Sequence, residues 1–183
     1  MKLRRIREED LRALFTARND PELYRWCRQY APLHWSSHVD WYHWQAKDPK
    51  TEMFVMEIYS DFYNDDVILG VCGLTSIDFI NRRAEFSLYI VPEYWGHGHG
   101  RDGLKLLLDF GFNTLGLNRI WGETFDGNGA VKTFEALGME LEGTRKEHYF
   151  RNGSFINAHL YSIGAQRFNH LFASEELRPS ADS

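Results

Sequence analysis

The most regular alternation of apolar and polar residues in the chain lies in residues 82–91. One side of it holds Ala84, Phe86, Leu88 and Ile90, and the other holds Glu85, Ser87, Tyr89 and Val91. A period of two predicts a β-strand that buries one face and presents polar groups on the other. Six further strands are predicted, at 2–8, 52–59, 67–77, 118–125, 139–150 and 154–163. Asn152-Gly153 between the last two is a strong hairpin signal.

Four other stretches repeat their apolar residues with the period of a helix. They are residues 8–19, 36–47, 101–115 and 130–138. Pro21 ends the first stretch, because the residue before a proline avoids the helical region. Ser36 or Ser37 is suited to cap the second, and Gly138 is a typical stop for the last.

The predicted order of elements is β-α-α-β-β-β-α-β-α-β-β. It combines antiparallel hairpins with one β-α-β crossover, which predicts a mixed α/β (α+β) domain of about seven strands over residues 1–164. A doubly wound nucleotide fold would alternate strand and helix throughout. Residues 165–183 are polar and are predicted to form a C-terminal tail, partly helical and then disordered.

Composition and charge narrow the classes of function. The net charge of −5 argues against general nucleic-acid binding, which needs a basic face. No apolar run is long enough for a membrane span, and the charged start predicts no secretory leader. Cys27 and Cys72 lack metal-type spacing and are interpreted as free thiols in a reducing compartment. We therefore expect a cytoplasmic protein, either a monomer or a homodimer.

The glycine-rich stretch YWGHGHGRDGL, at 94–104, joins the alternating strand to the third predicted helix. Glycines let the backbone turn sharply and bring its amides close to a ligand. The start of the helix adds unpaired N–H groups and the positive end of the helix dipole, which suit phosphate or pyrophosphate. A P-loop is excluded, because no Gly-Lys-Ser/Thr follows. Gly98-x-Gly100-x-x-Gly103 spells a dinucleotide fingerprint but lacks its strand order and acidic residue.

The segment VPEYWGHGHGRDGLKLLLDFGF resembles motif A of the GNAT N-acetyltransferase superfamily, Arg/Gln-x-x-Gly-x-Gly/Ala. Trp95 takes the first position, with Gly98 and Gly100 at the glycine positions. The block NRIWGETFDGNGAVKTFEALGMELEGTRKEHYFRNGSFINAHLYSI is similar to the last third of the branch that acetylates ribosomal-protein N-termini. This resemblance covers residues 2–164. It implies a GNAT fold, with a mostly antiparallel seven-stranded sheet splayed at strands four and five and flanked by about four helices.

The resemblance also implies acetyl-CoA as co-substrate, without a metal. The amides of residues 96–101 would hold its pyrophosphate, and the strand backbone at 89–91 would pair with its pantetheine arm. Asn128 is a further predicted contact, with a helix N-cap as the alternative. Phe134 is another, with core packing as the alternative, and it stands where many family members have a tyrosine acid. The predicted cofactor set is Ile90, Val91, Trp95, Gly96, His97, Gly98, His99, Gly100, Arg101, Asn128 and Phe134.

Acetyl transfer to an amine needs a base, since a lysine-like ammonium has a pKa of about 10.4. It also needs donors for the developing oxyanion, which the resemblance assigns to a backbone amide near Ile90 or Val91. Glu85 is the candidate base, acting through a water. The alternative is an ion pair with the arginines at 82–83. Ser87 and Tyr89 share its face and are further candidates for catalysis or for lining the cleft.

Two histidine pairs, His97 with His99 and His34 with His38, have spacings that metal sites use. Neither pair has a third ligand nearby in the sequence, so no metal site is predicted. His97 and His99 are interpreted as surface residues of the turn.

Residues 17–44 hold four of the six tryptophans and, in a GNAT fold, would roof the acceptor pocket. Arg-Asn followed by a Trp/His-rich helix is similar to the subgroup that acetylates nucleotide-linked amino sugars. Flat aromatics suit stacking on a sugar or base, and arginines suit phosphate. Core packing is the alternative for at least half of the aromatics. The candidate acceptor-binding residues are Arg18, Asn19, His34 and Trp35.

The sequence thus predicts an acetyl-CoA-dependent N-acetyltransferase for the primary amine of a small molecule. An amino sugar or a nucleotide-linked amine is the predicted acceptor, attacking directly in a ternary complex. The alternatives are a protein N-terminal acetyltransferase of the ribosomal-protein type and a non-catalytic acyl-CoA-binding module.

Overall fold

The computed structural model of the protein describes residues 1–172 and contains seven strands in one sheet. The strands are β1 (Lys2–Arg5), β2 (Glu52–Ser60), β3 (Asp65–Asp78), β4 (Arg83–Ile90), β5 (Arg119–Phe125), β6 (Glu140–Arg151) and β7 (Ser154–Gly164). Their order across the sheet is β1-β2-β3-β4-β5-β7-β6, and β4 with β5 is the parallel pair. The predicted seven-stranded, mostly antiparallel sheet is confirmed.

Helices lie against both faces of this sheet. They are α1 (Leu11–Arg18), α2 (Pro21–Tyr24), α3 (Trp35–Gln45), α4 (His99–Asp109), α5 (Ala130–Ala136) and α6 (Ala165–Phe172), and α4 continues into a π-helical turn at Phe110–Thr114. Residues 1–172 therefore hold the four helices predicted within residues 1–164, a helix in the predicted tail, α6, and one helix that was not predicted, the short α2. Pro21, which was predicted to end the first helix, is also the first residue of α2, a position that suits proline. Asp20 caps α2 by accepting a hydrogen bond from the Glu22 amide at 2.8 Å.

The alternation in β4 divides its residues between two packed layers. Phe86, with Leu88 and Ile90 beside it, belongs to the core under α4 and α5. Tyr89 packs instead with the smaller core under α1 and α3. The polar face of β4 is therefore the face that α1 and α3 cover, and this fixes the side from which Glu85, Ser87 and Tyr89 are reached.

Helix α6 packs onto the same domain as the sheet. Phe168 is 2% exposed and lies in the main core, 5.3 Å from the ring of Phe112. The guanidinium of Arg167 donates to the carbonyl of Gly138 at 2.7 Å. The first eight residues of the predicted tail are thus a packed helix, and residues 173–183 lie outside the described part of the chain.

β4 and β5 pair only at their beginnings. The register joins Arg83 to Arg119, Ala84 to Ile120 and Glu85 to Trp121. Beyond these three pairs each strand continues without the other, as far as Ile90 and Phe125. The predicted splay is therefore present, and it opens a gap in the middle of the sheet. No helix in residues 1–172 is long and apolar enough to cross a membrane.

Candidate active site

The glycine turn lies at the open end of the splay. Gly98 caps α4 with φ +81°, and Gly96 has φ +83°, a backbone region that side chains disfavour. The amides of residues 96–100 make no hydrogen bond to other groups of residues 1–172. Together with the dipole of α4, these free amides can hold an anion. The side chain of Trp95 donates to the Ile90 carbonyl at 2.7 Å and so ties the turn to the end of β4.

The open edge of β4 offers backbone groups to the gap. The Val91 amide donates to the Leu69 carbonyl of β3 at 2.8 Å. Because hydrogen-bonding direction alternates along a strand, the backbone groups of Leu88 and Ile90 face the gap. Of the two amides predicted as oxyanion donors, Ile90 is the available one, since the N–H of Val91 is already bonded within the sheet.

A cleft of about 280 Å³ opens between the splayed strands and under the α2–α3 loop. Five of the predicted residues line it: Arg18, Glu85, Ser87, Asn128 and Phe134. The sequence assigned no site role to several others that line it, among them Cys27, Gln29, Glu123 and Thr124. The structure therefore unites the predicted base and two of the predicted cofactor contacts with a second carboxylate from β5.

Glu85 carries an ion pair, but not with the neighbouring arginines. Its side chain is 12% exposed and is hydrogen-bonded to the guanidinium of Arg28, from the α2–α3 loop. Arg82 and Arg83 have other partners. Burial on its own lowers the pKa of Arg28, but the hydrogen bond and charge of Glu85 outweigh it and raise that pKa. Arg28 is therefore a permanent cation at this carboxylate.

Glu123 faces the same cleft from β5, and its side chain is only 2% exposed. It accepts hydrogen bonds from Tyr149 at 2.6 Å and Arg145 at 2.8 Å, and Arg28 lies 3.5 Å away. Burial and this hydrogen bond raise the pKa of the Tyr149 phenol. Arg28 thus bridges two carboxylates, one from each splayed strand. Two such carboxylates can bind a cation, and Arg28 is the cation that they hold here.

Sequence reasoning missed Glu123, although a signal was present. The odd-numbered residues of β5 share the face of Glu85, since Glu85 pairs with Trp121. A glutamate between Trp121 and Phe125 interrupts an otherwise apolar run on that face. The parallel register, which the sequence leaves open, is needed to bring the two glutamates to the same gap.

Ser87 and Tyr89 lie farther along the polar face of β4. Ser87 is exposed to the cleft, and the ring of Tyr89 lies 5.3 Å from the guanidinium carbon of Arg18. Burial raises the pKa of Tyr89, although the charge of Arg18 opposes this. Tyr89 is therefore protonated at neutral pH.

Asn128 and Phe134 also make local contacts besides lining the cleft. Asn128 lies one residue before Gly129, the N-cap of α5, and its side chain accepts from the Ala130 amide at 3.0 Å. Phe134 is 3% exposed and packs edge-on against Phe86, with ring centres 5.1 Å apart. Its cofactor contact stays a prediction, and a phenylalanine at this position supplies no proton.

The acceptor candidates separate into two groups. Arg18 lines the cleft, with its guanidinium 3.4 Å from the Cys27 sulfur. Asn19 instead holds the α2–α3 loop, because its side chain bonds the backbone amide and carbonyl of Leu33 at 2.6 and 3.3 Å. Trp35 packs edge-on against Phe15, 5.3 Å away, and His34 is exposed at the start of α3. Asn19, His34 and Trp35 are therefore not among the residues that line the cleft.

The loop that carries Arg28 is held from two sides. Arg151, at the β6–β7 hairpin, donates to the carbonyls of Cys27 at 3.3 Å and Arg28 at 2.9 Å. Asn19 fixes the other end of the loop through Leu33. The roof of the cleft is thus tied to both α1 and the hairpin.

The histidines of the turn lie on the surface. The rings of His97 and His99 are 5.9 Å apart and tilted by 38°. Within residues 1–172, no three His, Cys, Asp or Glu side chains form a group suited to a metal ion. Arg101 is also exposed and lies beside Asp102, 3.4 Å away. These three residues flank the free amides of the turn.

The sequence model of the GNAT acetyltransferase domain matches residues 1–140. The chain belongs to the GNAT acetyltransferase family. It is 29% identical over 180 residues to the spermidine N(1)-acetyltransferase of Escherichia coli K12, covering 98% of this chain and 91% of the relative. An L-amino acid N-acetyltransferase of the same organism is 26% identical over 163 residues, which cover 86% of this chain and 93% of the relative.

Solved structures show the same relationship. The crystal structure of spermidine N-acetyltransferase from Vibrio cholerae, in complex with CoA and spermine, aligns with a TM-score of 0.84 and 26% identity. The alignment covers 91% of this chain and 96% of that one. This GNAT protein is therefore an acyltransferase that uses acetyl-CoA, and the predicted family, fold and co-substrate are confirmed.

Proposed function

We propose that this GNAT acetyltransferase acts on the primary amine of a small molecule that carries a ring, such as an amino sugar or a nucleotide-linked amine. The observation that supports this most is the composition of the cleft. An anion cradle and a free strand edge lie on one side, while two carboxylates lie under an arginine- and aromatic-rich roof on the other. An acyl donor and an amine can therefore meet between β4 and β5.

The backbone of the glycine turn and of the β4 edge supports a binding site for the acetyl donor. Acetyl-CoA supplies the activated acetyl group. The free amides of residues 96–100 would hold its pyrophosphate, and the exposed edge at Leu88 and Ile90 would pair with its pantetheine arm. The Ile90 amide would donate to the acetyl oxygen, and there a donor stabilises developing negative charge.

The two carboxylates of the cleft, Glu85 and Glu123, support a binding site for the amine. Glu85 would accept the proton that the ammonium must lose, directly or through a water. It can do so only after Arg28 moves away, because an ion-paired carboxylate is a poor proton acceptor. The arriving amine would take the place of Arg28 between Glu85 and Glu123. Since Phe134 cannot donate a proton, Tyr89 or Ser87 would supply one to the departing thiolate.

Charge distinguishes the ring-bearing acceptor from a polyamine, which the named relatives favour as the second candidate. Both carboxylates of the cleft already pair with arginines. Arg18 has no carboxylate partner within residues 1–172. A polycation would meet this guanidinium beside the cleft, whereas a phosphate or a ring oxygen would be stabilised by it.

A panel of acceptors tests the proposal. CoA release from acetyl-CoA is measured with spermidine, a free amino sugar, a nucleotide-linked amino sugar and a short peptide. We expect the highest kcat/KM with one of the two sugars. A peptide as best acceptor would support the N-terminal acetyltransferase alternative, and spermidine would support the polyamine. Tight acetyl-CoA binding with no turnover across a wide amine panel would indicate a non-catalytic module.

A further inference from the structure

Arg28 lies between the carboxylates of the two splayed strands. Its guanidinium is hydrogen-bonded to Glu85 and lies 3.5 Å from Glu123. The side chain of Arg28 is 54% exposed, whereas those of Glu85 and Glu123 are 12% and 2% exposed. The arginine is therefore the member of this group that can turn toward water when another cation arrives at Glu85, while the two carboxylates stay in place.

Hydrogen bonds to the backbone of the α2–α3 loop limit how far Arg28 can move. Arg151 donates to the carbonyls of Cys27 at 3.3 Å and of Arg28 itself at 2.9 Å. The side chain of Gln29 donates to the carbonyl of Arg18 at 3.1 Å. Because its backbone is held in this way, a displaced Arg28 would swing on its own side chain, and its guanidinium would stay at the rim of the cleft.

The charged side chains that line the cleft balance one another. They are two arginines and two glutamates: Arg18, Arg28, Glu85 and Glu123. A molecule with positive charge alone would take the place of Arg28 at Glu85 and leave a guanidinium without its carboxylate. A molecule that carries both an ammonium and an anion would replace the lost ion pair with two new ones, so that the charges of the cleft stay balanced.

We propose that Arg28 determines specificity by binding an anionic group of the acceptor, a phosphate or a carboxylate placed close to the amine. The ammonium binds Glu85, and the guanidinium that it displaces turns to the anion. Both anions match the planar guanidinium, which donates two parallel hydrogen bonds to either. This inference rests on the proposed function and specifies its acceptor as a zwitterion or a net anion, such as an amino sugar with a phosphate beside its amine.

Three sugars that differ in their charged groups test this subsite by binding, without acetyl transfer. Glucosamine 1-phosphate carries an amine and a phosphate on neighbouring carbons, glucosamine carries only the amine, and glucose 1-phosphate only the phosphate. Isothermal titration calorimetry measures the Kd of each for the protein in the presence of CoA. We expect glucosamine 1-phosphate to bind about tenfold more tightly than either of the others, the difference typical of one hydrogen bond between charged groups.

Arg28→Gln distinguishes this role from a structural one, because two of the sugars should respond in opposite directions. Glucosamine should bind severalfold more tightly, since no guanidinium competes with it at Glu85, whereas glucosamine 1-phosphate should lose most of its advantage. Arg28→Lys keeps the charge and should keep most of the advantage. Arg25→Gln is the matched control, because Arg25 is half exposed, pairs with Glu22 at 2.9 Å and does not line the cleft. It should change neither affinity.

The outcomes separate the anion subsite from the reaction. The proposal is overturned if glucosamine 1-phosphate binds no more tightly than glucosamine, or if its advantage persists in Arg28→Gln. An advantage that is lost in Arg18→Gln but kept in Arg28→Gln would overturn it as well, because the anion would then bind Arg18. If the advantage depends on Arg28 but no ring-bearing amine is acetylated, the proposed function is wrong instead.

Discussion

Replacing Glu85 by glutamine is the most direct test of the chemistry. Glutamine keeps the shape of the side chain and removes both its charge and its ability to accept a proton. If Glu85 is the base, kcat should fall by roughly 10²–10⁴-fold, which corresponds to about 3–5 kcal/mol of barrier. The rate should also lose its decline at low pH, because that decline reports protonation of the base.

Glu85→Gln also removes an ion pair, and the structure indicates how much that loss alone can lower the rate. Glu85 also pairs with Arg28, whose side chain is 54% exposed and lies 3.5 Å from Glu123 as well. Losing a half-exposed ion pair costs about 1 kcal/mol or less, or about fivefold in rate. A loss well above tenfold therefore reports proton transfer, and a loss of fivefold or less reports only the position of Arg28.

Steady-state rates of CoA release, measured from acid to alkaline pH with the best acceptor, supply the readout. Glu142→Gln is the matched control, since Glu142 also pairs with an arginine, Arg119, but lies outside the cleft. Arg28→Ala should leave kcat within about fivefold, because it frees Glu85 rather than removing it. A Glu85→Gln enzyme with a kcat and pH profile like those of the control would refute the role of Glu85 as base.

Three further predictions concern the turn and the ion pairs. Gly98→Ala should weaken acetyl-CoA binding and lower the Tm by about 2–4 °C, since a side chain at φ +81° costs about 1 kcal/mol; calorimetry measures both, with Gly143→Ala as control. Glu123→Gln should lower the Tm by about 4–8 °C, or about 2 kcal/mol, because glutamine keeps one acceptor oxygen for the two donors, Arg145 and Tyr149, and removes the buried charge that faces Arg28 and Arg145. Asp10→Asn should destabilise the protein at neutral pH and progressively less below pH about 4 in urea denaturation.

The pH dependence predicted for Asp10→Asn follows from the direction in which folding shifts the pKa of Asp10. Burial alone would raise the pKa of Asp10, but hydrogen bonds from Arg4, at 2.6 and 2.9 Å, and from the Arg7 amide outweigh it, so that the pKa lies below its usual value. The stabilisation is therefore present above the unfolded pKa and is lost as pH falls through the folded one. If the free energies of unfolding of the wild type and Asp10→Asn differ by the same amount at every pH, this reasoning is wrong. A Tm equal to that of the wild type would contradict the prediction for Gly98→Ala or for Glu123→Gln.

Local pattern predicted the elements of the site well. The alternation in residues 82–91 placed Glu85, Ser87 and Tyr89 on one face of a strand, because successive side chains of a strand point to opposite sides. The glycine turn predicted free amides at a helix start, and Gly98 does cap α4 in the left-handed region. Both signals depend on neighbours in the chain, which the sequence displays directly.

Contacts between distant segments were less predictable. The sequence offered Arg82 and Arg83 as partners of Glu85, but the partner is Arg28, 57 positions away. Of the acceptor candidates, Asn19 holds the α2–α3 loop and Trp35 packs against Phe15, while His34 is exposed at the start of α3. On the same helix, His38 is buried while Trp35 is exposed, because the side of α3 that carries His38 faces α1 and the sheet.

The sequence alone determined the family, the order of the seven strands and the glycine turn at the start of α4, since each is written in local periodicity or in a short motif. Only the tertiary structure decided which charges meet. The parallel register of β4 and β5 brings Glu85 and Glu123 to one gap, and the α2–α3 loop, tied down by Asn19 and Arg151, places Arg28 between them. Such positions depend on the packing of segments far apart in the chain, which no local pattern specifies.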